Sequence, residues 1–227
     1  MARLLFAAAT VALLASTASA AAVLVVRSSG PSAAAYPPGK ALPDNHVLKL
    51  KASDTVVLLD SRGTRTLSGP GDFGVSAGAA PAAATRTAGT SARRVRLGAV
   101  RGAGTRSVWQ ADLGRSGNVC IANPSELTLY RPEAAAPVDL VLTDSDGKTA
   151  NVHFDANQSE ASWPSALEVK SGKRVNVTGL SQPATLTLRV LSPVPSGLEG
   201  MAQSLIRADC QAQLDVLIDT FSTRSEG

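Results

Sequence analysis

The chain has 227 residues, of which 44% are hydrophobic but only 4% aromatic, and it carries a formal net charge of +4. Two histidines and two distant cysteines do not provide the closely spaced ligand pairs of a zinc site, so the sequence excludes a zinc-binding protein. Without its first 20 residues the chain has the length of one large or two small domains, and the sequence favours two.

An apolar N-terminal segment predicts export. Arg3 precedes an apolar run, and Ala18 and Ala20 match the small-x-small pattern of a signal peptidase site, so we predict a signal peptide over residues 1–20. The alternative is an uncleaved membrane anchor, because residues 4–26 form an uncharged run of 23 residues and a spanning helix needs about 20. The richness in alanine, glycine and arginine is typical of a GC-rich bacterial source. The predicted location is therefore the periplasm or the exterior.

Residues 21–75 predict a small β-module. Residues 22–27 form a first strand, and residues 47–51 alternate so that Leu48 and Leu50 share one face. Residues 54–73 predict a β-hairpin with strands at 56–59 and 64–67. Its turn is Ser61-Arg62-Gly63, in which the glycine supplies a positive φ.

Residues 76–94 are an alanine-, glycine- and arginine-rich linker. Residues 76–115 hold seven arginines and one aspartate, a local balance of +6, whereas the rest of the mature chain sums to about −3. The basic character is therefore concentrated, and an anionic surface could be contacted by four arginines of the linker region: Arg86, Arg93, Arg94 and Arg96. The alternative is that these side chains only solvate the linker. Export and the lack of aromatic residues before Trp109 argue against nucleic acid.

Residues 95–195 predict an antiparallel β-sandwich, because short alternating runs recur at the spacing that such a fold requires. The predicted strands cover residues 95–97, 107–111, 118–122, 126–131, 138–142, 149–154, 166–170, 174–177 and 185–191. Their alternation indicates sheets with one solvated side.

Residues 196–223 predict a C-terminal helix docked on the sandwich. Ser196 and Glu199 have the spacing of a capping box. An apolar stripe recurs at helical spacing through Ile206, Cys210, Leu214, Leu217 and Phe221. Because an exported protein with two cysteines favours pairing them, we predict a Cys120–Cys210 disulfide that fastens the helix to a strand. The alternative is a second helix capped by Asp209.

Two motifs suggest chemistry, and a simpler explanation is favoured for each. Residues 74–78 match the Gly-x-Ser-x-Gly nucleophile elbow around Ser76, but they precede a linker and the downstream His153 lies mid-strand. Residues 144–147 resemble the start of a calcium loop, but they lack the later acidic ligands, and a hairpin turn explains them.

The hairpin region resembles the repeating β-unit of the periplasmic ferric-citrate sensor (FecR) domain. The residues that carry the resemblance are 39–42, 47–51, 54–56 and 59–64. The chain also resembles a family of exported bacterial proteins with the same order of segments: the Gly-Thr-Arg-Thr-Leu-Ser-Gly-Pro-Gly hairpin, residues 98–102, Trp109, residues 119–120, residues 163–164 and residues 210–215. The FecR resemblance implies a sensing or protein-contact β-module without catalytic residues.

The sequence therefore predicts a mainly β protein with a small N-terminal module, a β-sandwich and a C-terminal helix. We expect a non-enzymatic periplasmic binding or sensory module without a cofactor, whose partner is an envelope protein contacted by Ser61, Arg62 and Arg65. Membrane attachment is expected only with an uncleaved N-terminus. The alternative is an envelope structural or anionic-surface protein that uses its arginine-rich linker, and a serine hydrolase that uses Ser76 is the least favoured function.

Overall fold

A computed structural model describes residues 22–75 and 106–222. In chain order its strands are β1 (Ala22–Ser29), β2 (Ala41–Pro43), β3 (Val47–Leu50), β4 (Thr55–Asp60), β5 (Gly63–Ser68), β6 (Gly71–Gly74), β7 (Gln110–Asp112), β8 (Gly117–Ile121), β9 (Thr128–Tyr130), β10 (Val138–Asp144), β11 (Thr149–Phe154), β12 (Glu160–Ser162), β13 (Arg174–Thr178) and β14 (Ala184–Val190). Helices α1 (Gly197–Arg207) and α2 (Gln211–Thr220) follow. The prediction of a mainly β chain with C-terminal helical structure is confirmed.

The N-terminal strands form a four-stranded antiparallel sheet in the order β2-β1-β4-β5, beside the two-stranded sheet β3-β6. The predicted hairpin is confirmed as β4 and β5, and Gly63 has a φ of +132° that favours glycine. The buried Asp54 carboxylate organises the loops before β4, because it accepts hydrogen bonds from the backbone N–H of Ser32 (2.8 Å) and of Lys51 (2.5 Å).

The second β-unit packs a five-stranded sheet, β11-β10-β13-β14-β8, against a three-stranded sheet, β12-β9-β7. Leucines and valines from both inner faces fill the core between these sheets. Most pairs are antiparallel as predicted, but β8 with β14 and β7 with β9 are parallel. For those two pairs the antiparallel expectation is wrong: alternation within a strand predicts which side is buried, but it does not determine the direction of the partner strand.

The predicted strand at residues 166–170 is wrong. This segment turns instead of pairing: the Leu167 backbone N–H donates to the Pro164 carbonyl (3.0 Å), and the Trp163 indole Nε1–H donates to the Leu167 carbonyl (2.9 Å). β12 takes the edge position beside β9 and was not predicted. The predicted strand at residues 95–97 lies outside the described residues.

The C-terminal segment forms two helices, so the prediction of one helix is wrong and its two-helix alternative is closer. The chain breaks at Asp209, whose φ is +54°, and Cys210 occupies the N-cap position of α2 that had been expected for Asp209. Ser196 lies at the N-cap of α1, although its side chain makes no capping hydrogen bond. None of the helices within the described residues is long and apolar enough to cross a membrane.

The Cys120–Cys210 disulfide is confirmed, with both cysteines buried and their Cα atoms 5.9 Å apart. It lies in a further core, here called the shared core, to which β1, β4, β8 and both helices contribute. This core contains Leu24 and Leu59 from the N-terminal sheet and Leu205 and Leu217 from the helices. The helices therefore pack against both β-units.

Candidate functional site

The β4–β5 turn presents the residues for which the sequence predicted partner contact. Ser61 and Arg62 are exposed at the end of the hairpin. The Asp60 carboxylate accepts a hydrogen bond from the Arg62 backbone N–H (2.7 Å), and its other oxygen lies 3.5 Å from the Arg62 guanidinium. An Asp side chain that accepts from a backbone N–H two residues on fixes a turn locally. The end of the hairpin is therefore an ordered, cation-bearing projection, here called the hairpin apex.

The hairpin is attached to the end of helix α2 through Thr64, which lies directly beside the turn. The Thr64 backbone N–H donates to the Phe221 carbonyl (2.7 Å), and the Thr64 hydroxyl donates to the Ile218 carbonyl (2.8 Å). These bonds cover the unpaired edge of β5 at Thr64. They also provide donors for the Phe221 and Ile218 carbonyls at the end of the helix. The helix thus holds the hairpin in a fixed position while leaving its apex exposed.

Arg65 differs from the other two predicted contact residues. Its side chain is half-buried and donates to the backbone carbonyl of Val75. Burial lowers the pKa of the Arg65 guanidinium. The structure thus places Ser61 and Arg62 together on the apex and turns Arg65 toward the end of β6.

The predicted anionic-surface residues Arg86, Arg93, Arg94 and Arg96 lie outside the described residues, as does Ser76 of the candidate nucleophile motif. His153, the other member considered for that site, is exposed on β11. Its Nδ1 lies 2.7 Å from an Asp139 carboxylate oxygen, and its Nε2 lies 3.4 Å from Asp155. The hydrogen bond with Asp139 raises the pKa of His153. Both ring nitrogens therefore face carboxylates that favour the imidazolium.

The acidic side chains of the turn at residues 144–147 pair with a lysine from another part of the chain. The Lys173 ammonium lies 2.9 Å from Asp144, 3.1 Å from Asp146 and 3.6 Å from Glu168. Its hydrogen bond lowers the pKa of Asp144. The acidic side chains that resemble a calcium loop thus surround an internal cation, and within the described residues no cluster of three or more His, Cys, Asp or Glu is placed to hold a metal ion.

A groove of about 720 Å³, here called the β7 groove, crosses the outer face of the three-stranded sheet. Gln110, Thr128 and Glu160 line it from β7, β9 and β12. The remaining lining residues come from the chain before β7, from the last residue of β8 and the segment after it, and from the segment before α1: Ser107, Trp109, Ile121, Ala122, Asn123, Glu126 and Val194. The groove combines an apolar wall with two carboxylates.

An arginine lies on the same sheet face beside this groove. The Arg106 guanidinium stacks over the Tyr130 ring, 4.7 Å from its centroid, and donates to the Asp112 carboxylate (2.5 Å). Glu160 of the groove lies directly opposite Tyr130 on the neighbouring strand. Stacking on an aromatic face and pairing with a carboxylate is a geometry that suits arginine better than lysine.

Comparisons with known proteins give no relative: no protein-family model matches the chain, and no curated protein or solved structure is significantly similar to it. The resemblance of the hairpin region to the FecR domain therefore stays a prediction.

Sequence reasoning did not find the β7 groove. Glu126 and Glu160 are separated along the chain and come together through the pairing of β12 with β9. Trp109 was a signal in the sequence, because it is one of only two tryptophans in a chain with few aromatic residues. The sequence favoured packing in a core or between domains for Trp109 over a role as a ligand platform, and Trp109 does pack, partly buried, against the shared core as well as lining the groove.

Proposed function

We propose that the protein is an exported, non-enzymatic binding module that contacts an envelope protein through the hairpin apex. The observation that carries this proposal is the combination at the apex of two exposed side chains, Ser61 and Arg62, with a turn fixed by Asp60. An ordered projection loses little conformational entropy when a partner binds it. The attachment of Thr64 to the end of α2 adds to this preorganisation.

Two features support export. Disulfides persist in oxidising compartments and are rare in the cytosol, which agrees with the Cys120–Cys210 bond. In addition, β1 begins at Ala22 and buries residues 23–26 in the N-terminal unit, so these residues are not available to a membrane anchor. The uncharged run that remains outside β1 covers residues 4–21, which is at the lower end of the length of a spanning helix, about 17 to 25 residues. We therefore favour cleavage after Ala20, which leaves one residue before β1.

The contact is tested with a photocrosslinking amino acid at position 61 of the exported protein in intact cells. We expect one discrete crosslinked species, whose yield falls at least several-fold when Arg62→Glu is added, because the reversed charge repels a partner surface that accepts a cation. A crosslinker at Arg174, an exposed arginine on β13, is the matched control and should give no such species. Identical products from both positions, or none from position 61, would contradict the apex contact.

The intact mass of the purified protein tests whether the signal peptide is cleaved. Cleavage after Ala20 predicts a chain that begins at Ala21. Retention of residues 1–20 would instead support the anchored alternative. The second candidate function, binding of an anionic surface through Arg86, Arg93, Arg94 and Arg96, depends on residues outside the described ranges and stays a prediction.

A further inference from the structure

The β7 groove carries negative charge that the described protein leaves unpaired. Glu126 and Glu160 are exposed at the groove, and neither lies within ion-pair distance of a lysine or arginine among the described residues. Two arginines lie near this face and both are engaged by carboxylates: Arg106 pairs with Asp112, and Arg115, whose charge also interacts with Asp112, pairs with Asp215. Among the described residues, Glu126 and Glu160 therefore leave two uncompensated negative charges at the groove itself.

The charge of the groove agrees with that of the larger region around it. Residues 106–222 contain nine basic and thirteen acidic residues, a balance of −4, although the whole chain has a net charge of +4. A cationic partner is therefore favoured electrostatically at the groove and in the region of residues 106–222 around it.

The groove also offers apolar surface beside its carboxylates. Trp109 and Ile121 line it, and Val194 at its rim is 60% exposed, the highest value among the large hydrophobic side chains within the described ranges. An aromatic ring beside carboxylates is a favourable contact for arginine, whose side chain has an apolar stem and a planar cationic end. The Arg106, Tyr130 and Asp112 contacts show that this sheet face already holds a guanidinium in that way.

We propose that the β7 groove binds an arginine-bearing, extended peptide segment of a partner protein. The guanidinium pairs with Glu126 and Glu160, and the apolar part of the segment packs against Trp109 and Val194. Arginine is preferred over lysine because its planar guanidinium can stack and can donate to two carboxylate oxygens at once. The contact is separate from the hairpin apex and does not depend on it.

The test is fluorescence polarisation of the full mature protein with a labelled hexapeptide that contains two arginines. Two matched peptides replace both arginines with citrulline, which is neutral and nearly isosteric, or with lysine. We expect the arginine peptide to bind about tenfold more tightly than the citrulline peptide, with lysine in between and with weakening at higher salt. Equal affinity for the arginine and citrulline peptides would overturn the proposal.

Variants locate the binding. Glu126→Gln with Glu160→Gln should weaken binding of the arginine peptide about tenfold, and Val194→Lys should weaken it by placing a cation at the rim. All three side chains are exposed, so thermal unfolding should change little. Glu133→Gln with Glu199→Gln, two exposed carboxylates that do not line the groove, is the control and should bind normally. Loss of binding in the control alone would overturn the assignment to the groove.

Two other occupants are distinguished by the peptide-binding assay together with a measurement of the oligomeric state by analytical ultracentrifugation. If the wild type fails to bind and a variant with Arg86, Arg93, Arg94 and Arg96 changed to glutamine does bind, the occupant is a segment of this chain. If the wild type dimerises and the Glu126→Gln, Glu160→Gln variant does not, the occupant is a second copy. Either result overturns the proposal of a separate partner, as does the absence of binding in every variant.

Discussion

Arg131 shows how a single buried cation can organise two loops. Only 2% of it is exposed, and its guanidinium lies 5.1 Å from the centroid of the Phe154 ring. It donates to four backbone carbonyls, those of Ala134 (3.0 Å), Ala136 (2.7 Å), Asp155 (2.8 Å) and Gln158 (2.8 Å). Because these carbonyls belong to the segments after β9 and after β11, the side chain connects these two loops.

We therefore predict that Arg131→Met lowers the free energy of unfolding by about 3 kcal/mol, because it leaves buried carbonyls without donors. Arg131→Lys should recover little of this loss, because an ammonium group has fewer donors than a guanidinium and cannot donate to all four carbonyls around its plane. Urea denaturation measures both effects, with Arg174→Met on β13 as an exposed control. A lysine variant as stable as the wild type would contradict the carbonyl-cage explanation.

The burial of Gln213 could not be predicted from the pattern of apolar residues around it. The apolar stripe correctly placed Leu214 and Leu217 in the core, but it gave no reason to bury the glutamine beside them. The Gln213 side chain accepts from the Cys120 backbone N–H (2.6 Å) and donates to the carbonyls of Cys120 (2.7 Å) and Val108 (2.9 Å). It thereby satisfies the backbone N–H and carbonyl of Cys120 at the unpaired edge of β8. This need arises only when the helix packs against the strand, so the hydropathy of the helix residues does not reveal it.

Secondary structure elements were predictable to the extent that their own residues determine them. The hairpin follows from the β-rich runs on either side of Gly63, and β11 follows from its alternation. Residues 166–170 alternate in the same way, yet the indole of Trp163 and the ammonium of Lys173 hold this segment in a turn. The β7 groove was not predictable, because it depends on strand pairings between distant segments.

The disulfide fastens the start of helix α2 to strand β8, because Cys210 is the N-cap residue of α2 and Cys120 lies in β8. With a sequence separation of 90 residues, the chain-entropy model gives a stabilisation on the order of 4 to 5 kcal/mol. We predict that replacing both cysteines by serine lowers the free energy of unfolding by up to about this amount. Urea denaturation of the oxidised protein measures it.

The control for this experiment is the wild type with its disulfide reduced and both thiols alkylated in the unfolded state. It should be destabilised at least as much as the double serine variant. Two free thiols in the untreated protein, detected by non-reducing mass spectrometry, would contradict the structural role of the bond.

At the scale of the whole molecule, Asp215 joins three parts of the chain. This α2 carboxylate accepts hydrogen bonds from Arg27 of β1 and from Arg115, which precedes β8 (2.7 Å for Arg115). Burial acts to raise the pKa of Asp215, but the hydrogen bonds from Arg115 and Arg27 outweigh it, and the pKa lies below its ordinary value of 3.8. Stability from this group is therefore present above about pH 4 and is lost as the pH falls through the folded-state pKa.

We predict that Asp215→Asn lowers the melting temperature by a few degrees at pH 7, and that the difference from the wild type shrinks below pH 4. The reason is that protonation removes the same charge in the wild type. Thermal unfolding followed by circular dichroism between pH 2 and pH 7 measures the difference. Asp219→Asn, an exposed position on the same helix, is the matched control. A constant difference across this range would contradict the assignment to the two arginines.

The shared core has a consequence for how the protein is made. Its first members, Leu24 and Val26, emerge from the ribosome early, whereas the helical residues that cover them, such as Leu205 and Leu217, are among the last described parts of the chain. Cys120 likewise waits for Cys210. In the exported protein that we propose, an oxidised pair of Cys120 and Cys210 is then a chemical record that the chain as far as Cys210 has crossed the membrane.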